Sequence, residues 1–140
     1  MSRILFDTSA LYKRYNRELG REQVLAFFER ASSVVVAAHC LTEIASAFYR
    51  QRHDRVLTEE DSDRIMLQVQ RDFAEFDVTQ LDKRVEAFAV AAMRRARLRA
   101  MDALHVGTAM ASGIDLFVTA DRRQADAAKA VGLATELIEA

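Results

Sequence analysis

The sequence predicts an α/β fold, a three-layer sandwich in which a central, mainly parallel sheet of four or five strands lies between helices. Short apolar runs alternate with longer segments that carry apolar residues at helical spacing. The runs are almost continuously apolar, as in strands that are covered on both faces. No proline or low-complexity segment marks a linker, so we expect residues 1–140 to form a single domain.

The predicted strands follow one another with helices between them. Strand-like runs lie at residues 4–6, 34–37, 76–79 and 116–119, with a fifth, shorter signal at residues 133–135. Apolar residues recur at i, i+3 and i+4 over residues 21–31, 41–52, 59–75, 82–96 and 101–111, which predicts five helices. Thr58 with Asp61 has the pattern of a helix start, and Gly113 and Gly132 stand where helices should end. Because the second and third of these helices are consecutive, we expect a helical hairpin that projects from the sheet.

Composition narrows the class of protein. A net charge of −1 gives no overall basic field of the kind that attracts nucleic acid. The single cysteine, Cys40, excludes an internal disulfide, fits a reducing compartment and lies among apolar residues, so we expect it in the core. No apolar run approaches the roughly 20 residues that span a bilayer, and the amino terminus lacks the apolar segment of a signal peptide. We therefore expect a soluble, cytoplasmic protein without a membrane partner.

Four carboxylates stand where strands end or on inward-facing helix positions. Asp7 directly follows the first predicted strand, and Asp121 closely follows the fourth. Glu43 lies near the first turn of the helix after the second strand, and Asp102 is isolated among alanine, methionine and leucine. Open α/β sheets bind ligands outside the carboxyl ends of their strands, so we expect these acids to share one site.

Each acid also has a simpler interpretation. Asp7 and Asp121 could only cap the helices that follow them. Glu43 could only provide a favourable charge at the positive end of its helix. Asp102 differs, because acids are rarely buried unless they are paired, and a functional role is favoured for it.

Convergence of these carboxylates would have an electrostatic consequence. Two unit charges about 5 Å apart repel by about 3 kcal/mol at an effective dielectric constant of 20. Either some pKa values rise or a divalent cation lies among the acids. The chain has no Cys/His zinc spacing, so Mg²⁺, with Mn²⁺ as the alternative, is the predicted ion. No glycine-rich phosphate loop is present, which leaves metal-assisted hydrolysis of a phosphodiester as the leading chemistry.

These residues resemble the PIN domain, and in particular the VapC toxins of type II toxin–antitoxin modules. The matching segments are Ile-Leu-Phe-Asp-Thr-Ser-Ala-Leu at 4–11, Leu-Thr-Glu-Ile at 41–44, Met-Asp-Ala-Leu-His at 101–105 with Thr-Ala at 108–109, and Phe-Val-Thr-Ala-Asp-Arg-Arg at 117–123. Their order and spacing extend over nearly the whole chain. The turn at residues 37–40, Ala-Ala-His-Cys, departs from the family, in which many relatives carry serine or proline there.

The resemblance implies an Mg²⁺-dependent endoribonuclease, the toxin of a type II pair that inhibits translation by cutting RNA such as tRNA or rRNA. It also implies a homodimer and a cognate antitoxin that occupies the active-site groove. In that family the acids would form the catalytic metal site, with Glu43 acting directly or through water and two hydroxyls in support. The corresponding residues are the acids Asp7, Glu43, Asp102 and Asp121 and the hydroxyl residues Thr119 and Ser9.

Basic and aromatic side chains near the acids have less specific interpretations. Candidate RNA-binding arginines precede Asp102; they are Arg94, Arg95, Arg97 and Arg99. They could contact phosphates, or they could only form a solvated helix end whose charge suits the helix dipole. His105 lies one helical step from Asp102, where a structural or supporting role is favoured, and His39 could reach the mouth of the site.

Three other protein classes share some of these sequence features. A haloacid-dehalogenase-like phosphatase needs a second aspartate two residues after Asp7, where this chain has Ser9. A phosphoacceptor receiver domain needs a lysine after a late strand, where this chain has Asp121-Arg122-Arg123. A non-catalytic PIN-like scaffold that binds RNA or a protein partner stays open as the alternative function, although four intact acids argue against it.

Overall fold

A computed structural model describes residues 2–140, over which strands and helices alternate as the sequence predicts. The strands are β1 (Ser2–Phe6), β2 (Ala31–Ala37), β3 (Asp77–Thr79), β4 (Leu116–Thr119) and β5 (Thr135–Leu137). The helices are α1 (Thr8–Tyr15), α2 (Arg21–Arg30), α3 (Cys40–His53), α4 (Glu59–Glu75), α5 (Lys83–Arg95), α6 (Ala100–Ala111) and α7 (Arg122–Ala130).

The five strands form one parallel sheet in the order β3-β2-β1-β4-β5, which confirms the predicted central sheet. In the centre, Leu5 of β1 is paired with Val35 of β2 on one side and with Phe117 of β4 on the other. From β1 the chain first adds strands on one side and then returns to add β4 and β5 on the other. The boundary between β1 and β4 is therefore the topological switch point, where α/β sheets form a ligand-binding crevice.

Two apolar cores lie on opposite faces of the sheet, because successive strand side chains point to opposite faces. One face carries Ile4 and Phe6, which pack with apolar residues of α1 to α4. The other carries Leu5, Val35 and Phe117, which pack with α5, α6 and α7. This arrangement confirms the three layers, and Cys40 is buried in the first core as expected.

The predicted helical hairpin consists of α3 and α4. Its inner stripe includes Phe48 and Val69 and lies in the first core. Its tip projects outward, and Val56 there is 71% exposed. The start of α4 is capped as predicted, because the Thr58 hydroxyl accepts a hydrogen bond of 3.0 Å from the backbone N–H of Asp61. Across residues 2–140, we find no helix that combines the length and apolarity needed to cross a membrane.

The main differences from the predicted elements concern α1, α7, β5 and β2. Helices α1 and α7 were expected only as helices that Asp7 and Asp121 could cap, and periodicity did not predict their extents, because they span only 8 and 9 residues and α7 is rich in alanine and charge. Strand β5 begins at Thr135, two residues later than the predicted run, because the chain is still in the turn after α7 at Leu133. Strand β2 begins three residues earlier than predicted, since Ser32 and Ser33 interrupt its apolar pattern.

Candidate active site

Asp7 is completely buried at the carboxyl end of β1. Its Oδ1 accepts hydrogen bonds from the backbone N–H of Ala10 at 2.9 Å and from the hydroxyl of Ser9 at 2.7 Å. Its Oδ2 accepts one from the hydroxyl of Thr119 at 2.5 Å. Burial raises the pKa of Asp7, and this effect exceeds the lowering by His105 and by these hydrogen bonds. Asp7 thus caps α1 and is also a buried acid whose ionised form its surroundings stabilise only in part.

Ser9 and Thr119 connect the turn after β1 to the turn after β4. Their hydroxyl oxygens lie 3.3 Å apart. The Ser9 hydroxyl accepts a hydrogen bond of 2.9 Å from the backbone N–H of Ala120. The Thr119 hydroxyl accepts a hydrogen bond of 3.0 Å from the backbone N–H of Asp121. Asp121 caps α7, because its Oδ1 accepts a hydrogen bond of 2.8 Å from the backbone N–H of Arg123. The two predicted supporting hydroxyls therefore hold the Asp7 and Asp121 turns together.

Glu43 lies in the first turn of α3 and reaches toward α1 and α6. Its Oε1 accepts a hydrogen bond of 2.6 Å from the Thr8 hydroxyl and lies 2.7 Å from Nε2 of His105. Burial alone would raise the pKa of Glu43, but the hydrogen bonds from His105 and Thr8 outweigh it and hold the pKa below its usual range. Glu43 is therefore an ionised carboxylate in the folded chain at neutral pH.

Two histidines flank this carboxylate. His105 is 1% exposed, and His39 stands at the N-cap of α3 without a side-chain capping bond. Nε2 of His39 lies 3.4 Å from Oε1 of Glu43 and 3.0 Å from the backbone oxygen of Met101. The two imidazole rings are 4.3 Å apart between centroids. Burial lowers the pKa of His39, and His105 lowers it further, which favours the neutral ring.

Asp102 lies in the first turn of α6. Its Oδ1 accepts a hydrogen bond of 3.3 Å from the side-chain amide of Gln124, and its Oδ2 lies 3.7 Å from Nε of the exposed Arg99. Burial raises the pKa of Asp102, and the negative charge of Asp121 raises it further, with a smaller contribution from Glu43. Asp102 therefore lies in the electrostatic field of two other acids.

The structure brings the four predicted acids to one edge of the sheet. Asp7 and Asp121 follow the neighbouring strands β1 and β4, and shared hydroxyls connect them. Glu43 contacts the Thr8 side chain, next to Asp7, and Asp102 responds to the charges of Asp121 and Glu43. The simpler capping interpretations of Asp7 and Asp121 are also correct, since both side chains accept capping bonds.

The four candidate RNA-binding arginines lie at the end of α5 and in the turn before α6. All are exposed; they are Arg94, Arg95, Arg97 and Arg99. Only the last has an ion-pair contact to a predicted site acid among the described residues, through the 3.7 Å approach to Asp102. The exposed guanidinium groups are therefore open to a ligand, and that of Arg99 lies next to Asp102.

Sequence reasoning missed two residues that fix the acids. Thr8 stands out in sequence only as part of the segment around Asp7, yet its hydroxyl donates a hydrogen bond to Glu43. Gln124 gave no signal in sequence, but it is 3% exposed and holds Asp102 from α7. The position of His105 beside Asp102 in sequence predicted a shared face, whereas its hydrogen bond is to Glu43. These contacts join residues between 22 and 62 positions apart, so no local pattern could reveal the last two.

Comparison with known proteins identifies one protein family and several solved structures of the same fold. The PIN domain family matches residues 4–130. A sequence search of curated proteins gives no significant match.

Three solved structures illustrate the same fold. FitAcB from Neisseria gonorrhoeae is 15% identical, with 94% of this chain and 95% of that chain aligned at a TM-score of 0.70. VapC20 from Mycobacterium tuberculosis, a sarcin–ricin-loop-cleaving toxin, is 16% identical, with 93% and 95% aligned at a TM-score of 0.66. DNA-bound VapBC from Salmonella typhimurium is 13% identical, with 97% and 98% aligned at a TM-score of 0.67. At these identities the likeness concerns the fold alone.

Proposed function

This chain belongs to the PIN domain family, and from that premise we propose that it is a metal-dependent endoribonuclease, the toxin of a type II toxin–antitoxin pair. The reaction is hydrolysis of an RNA phosphodiester. The observation that carries the proposal is the completely buried Asp7 at the switch point between β1 and β4. Three further acids, Glu43, Asp102 and Asp121, lie around it. Helix capping accounts for Asp7 and Asp121 singly, but it does not account for the gathering of four acids at one edge of the sheet.

The donor set fits a hard divalent cation. The four acids offer carboxylate oxygens, which Mg²⁺ and Mn²⁺ prefer. Burial raises the pKa values of both Asp7 and Asp102. The negative charge of Asp121 raises the pKa of Asp102 further. A cation among these oxygens would reverse that unfavourable electrostatic balance. We assign Asp7, Asp102 and Asp121 to the metal, with Glu43 acting directly or through water.

Each of the surrounding residues has a defined task in this proposal. Thr119 and Ser9 keep the Asp7 oxygens in one orientation, and Gln124 does the same for Asp102. Glu43 stays ionised and can accept a proton or a hydrogen bond from an incoming water. When bound, a divalent cation supplies Lewis acidity, a lower pKa for water and charge neutralisation at the phosphate.

The exposed arginines suit the substrate. A phosphodiester strand that enters the site beside Asp102 would pass the guanidinium groups before α6, which can bind phosphate oxygens in a bidentate manner. Phosphate contacts of this kind give affinity without sequence choice. They concentrate positive charge in one short segment, although the chain as a whole has a net charge of −1.

The toxin role and the partners rest on the fold comparisons. VapC20 is a toxin that cleaves the sarcin–ricin loop, and a structure from Klebsiella pneumoniae with the same fold is a toxin–antitoxin complex. By analogy we propose a structured RNA substrate, tRNA or rRNA, and a cognate antitoxin that covers the acidic groove. A homodimer is part of the same proposal.

The test is incubation of the purified chain with a mixed pool of tRNA and rRNA in Mg²⁺, Mn²⁺ or EDTA. We expect discrete fragments with either metal and none in EDTA. Asp7→Asn should give no fragments, because it removes a charge from the metal ligands while keeping the side-chain shape.

Asp126→Asn is the matched control. Asp126 is exposed on α7, and its side chain has no hydrogen bond or ion pair to any of residues 2–140, so this variant should cleave like the wild type. Specific binding of RNA by the wild type without cleavage under any metal condition would instead support the non-catalytic scaffold.

A further inference from the structure

Two of the three histidines in the chain converge on one carboxylate oxygen. Nε2 of His105 lies 2.7 Å from Oε1 of Glu43, and Nε2 of His39 lies 3.4 Å from the same atom. The three potential ligand atoms all lie within 4.8 Å of one another. His39, Glu43 and His105 come from the turn before α3, from α3 and from α6, so the tertiary fold brings them together.

We propose that His39, Glu43 and His105 form a second metal site, selective for a borderline transition-metal ion such as Zn²⁺. Two imidazole nitrogens and one carboxylate oxygen make a donor set that suits Zn²⁺ and that Mg²⁺ does not favour. The all-carboxylate set of Asp7, Asp102 and Asp121 has the opposite preference. The two neighbouring sites therefore differ in the chemical class of ion that they select.

Two of the ligand separations can be compared with those of a tetrahedral zinc site. Zinc bonds of about 2.1 Å to nitrogen and oxygen hold neighbouring ligands roughly 3.4 Å apart. The His39–Glu43 separation is already 3.4 Å. The His105–Glu43 separation of 2.7 Å is a hydrogen bond, and it would widen by roughly 0.7 Å as the ion replaces the shared proton.

Surrounding groups support the three ligands. The Thr8 hydroxyl donates a hydrogen bond of 2.6 Å to Oε1 of Glu43, which fixes the ligating carboxylate. His105 is 1% exposed, so its ring is held in place by the core of the protein. The side chain of His39 is 16% exposed, which leaves an open side for the ion and a water ligand to enter. Glu43 makes all of these contacts through Oε1.

The first experiment is calorimetric titration of the full, metal-free chain with Zn²⁺ in excess Mg²⁺, followed by the visible absorption of bound Co²⁺. The wild type should bind one Zn²⁺ that Mg²⁺ does not displace, and Co²⁺ should give the spectrum of a site with nitrogen ligands. His39→Gln should weaken zinc binding by at least about 10- to 100-fold, since it removes a ligand. This change should leave the fold intact, because His39 lies in a surface turn and does not cap α3 through its side chain.

Two control variants locate the ion. His53→Gln removes the only other histidine, which is exposed at the end of α3, and should bind Zn²⁺ like the wild type. Asp121→Asn removes a proposed Mg²⁺ ligand and should also keep most of the zinc affinity. Zinc affinity that falls in Asp121→Asn but not in His39→Gln would overturn the proposal, because the ion would then lie among the acids. Absence of tight zinc binding to the wild type would overturn it as well.

Glu43 belongs to both the proposed Mg²⁺ site and the proposed zinc site. This sharing predicts an effect of zinc on cleavage, which rests on the proposed nuclease function. A dication at this site neutralises the carboxylate and repels Mg²⁺ in the acidic centre, so Zn²⁺ should inhibit Mg²⁺-dependent cleavage. His39→Gln should need at least about tenfold more Zn²⁺ for half-inhibition, measured against its own zinc-free rate. Inhibition at equal zinc concentrations in both proteins would contradict this consequence. If the chain cleaves no RNA, the nuclease proposal fails, and the binding titration still decides the zinc site.

Discussion

The hydroxyl of Thr119 donates a hydrogen bond of 2.5 Å to Oδ2 of Asp7, although the two residues are 112 positions apart in sequence. Both are completely buried at the carboxyl ends of neighbouring strands. The contact joins the ends of β1 and β4 at the switch point of the sheet and sets the orientation of the Asp7 carboxylate. Thr119 is therefore as informative a target for mutation as the acids themselves.

Thr119→Val should lower RNA cleavage by at least about tenfold while the chain stays folded. Valine has nearly the same shape but donates no hydrogen bond, so Oδ2 of Asp7 loses a buried partner, which costs about 1 to 3 kcal/mol. Cleavage rates and thermal unfolding measure the two effects. Thr108→Val is the control, because Thr108 is equally buried on α6 but bonds only the backbone oxygen of Leu104. Equal loss of cleavage in both variants would contradict a specific role for Thr119.

Asp7→Asn should abolish cleavage and yet stabilise the metal-free chain. The pKa of Asp7 lies above its usual value of 3.8, so its ionisation favours the unfolded state. The stability that the raised pKa of Asp7 contributes to the fold is fully present below about pH 4, where the carboxyl group is protonated. This stability is lost as the pH rises through the folded-state pKa. At neutral pH in EDTA we expect a gain of about 1 to 2 kcal/mol, or roughly 4 to 8 °C in Tm.

Thermal unfolding from pH 3 to pH 8 in EDTA measures this difference. The Tm advantage of Asp7→Asn over the wild type should vanish at low pH and grow as the pH rises. A variant that is less stable than the wild type at neutral pH would show that the ionised carboxylate is well compensated in the native fold.

Asp72→Asn should have the opposite pH dependence, because Asp72 joins α4 to α1. Its Oδ2 accepts hydrogen bonds from Nε of Arg14 at 2.8 Å and from the Tyr15 hydroxyl at 2.6 Å. Burial raises the pKa of Asp72, but the hydrogen bonds from Arg14 and Tyr15 outweigh it, and the pKa lies below its usual value of 3.8. The stabilisation is therefore present above about pH 4 and lost as the pH falls through the folded-state pKa.

At neutral pH we expect Asp72→Asn to cost about 1 to 3 kcal/mol in the free energy of unfolding, measured with urea. The gap to the wild type should close as the pH approaches 3. Asp126→Asn, which removes an exposed and uncontacted acid, should change stability by less than about 0.5 kcal/mol. A gap for Asp72→Asn that stays constant with pH would mean that the ionised carboxylate is not the stabilising form.

Gly107→Ala should destabilise the chain although alanine favours helices by about 1 kcal/mol over glycine. A Cβ at Gly107 of α6 would lie 2.7 Å from the backbone nitrogen of Ala89 and 2.7 Å from the backbone oxygen of Val85 in α5. Backbone atoms cannot turn aside, so the helices must separate, at a cost of about 1 to 3 kcal/mol. Because α6 carries Asp102 and His105, cleavage and zinc binding should weaken too.

Gly132→Ala separates the steric effect from the effect of removing a glycine. Gly132 has a φ of +86° and nothing within 4 Å of an added Cβ, so its substitution should cost only about 1 to 2 kcal/mol of backbone strain. It lies after α7 and should leave cleavage unchanged. Unaltered stability and cleavage in Gly107→Ala would contradict the tight packing of α5 against α6.

The sequence predicted the sheet well because fully covered parallel strands must be continuously apolar. Leu5 and Phe117 belong to such runs, and both are completely buried. Periodicity did not reveal helices α1 and α7, because two turns offer too few positions for a 3.6-residue period to emerge. Ser32 and Ser33 hid the start of β2, since their backbone pairing does not depend on side-chain polarity.

The positions of the site acids were predictable because strand ends and a lone acid in an apolar helix are visible in sequence. The contacts that orient them were not. The bond from Gln124 to Asp102 and the convergence of His39 and His105 on Glu43 depend on how α3, α6 and α7 are packed. Local periodicity carries no information on such packing, so these partners had to come from the three-dimensional structure.

The most direct test of the central claim is RNA cleavage by Asp102→Asn over a range of Mg²⁺ concentrations. Asp102 is partly exposed in the first turn of α6, so the substitution should leave the fold intact, which circular dichroism and thermal unfolding check. If the acids hold the catalytic cation, cleavage should fall by at least about a hundredfold at all Mg²⁺ concentrations. Wild-type-like cleavage by folded Asp102→Asn would show that the reaction does not depend on this acidic centre.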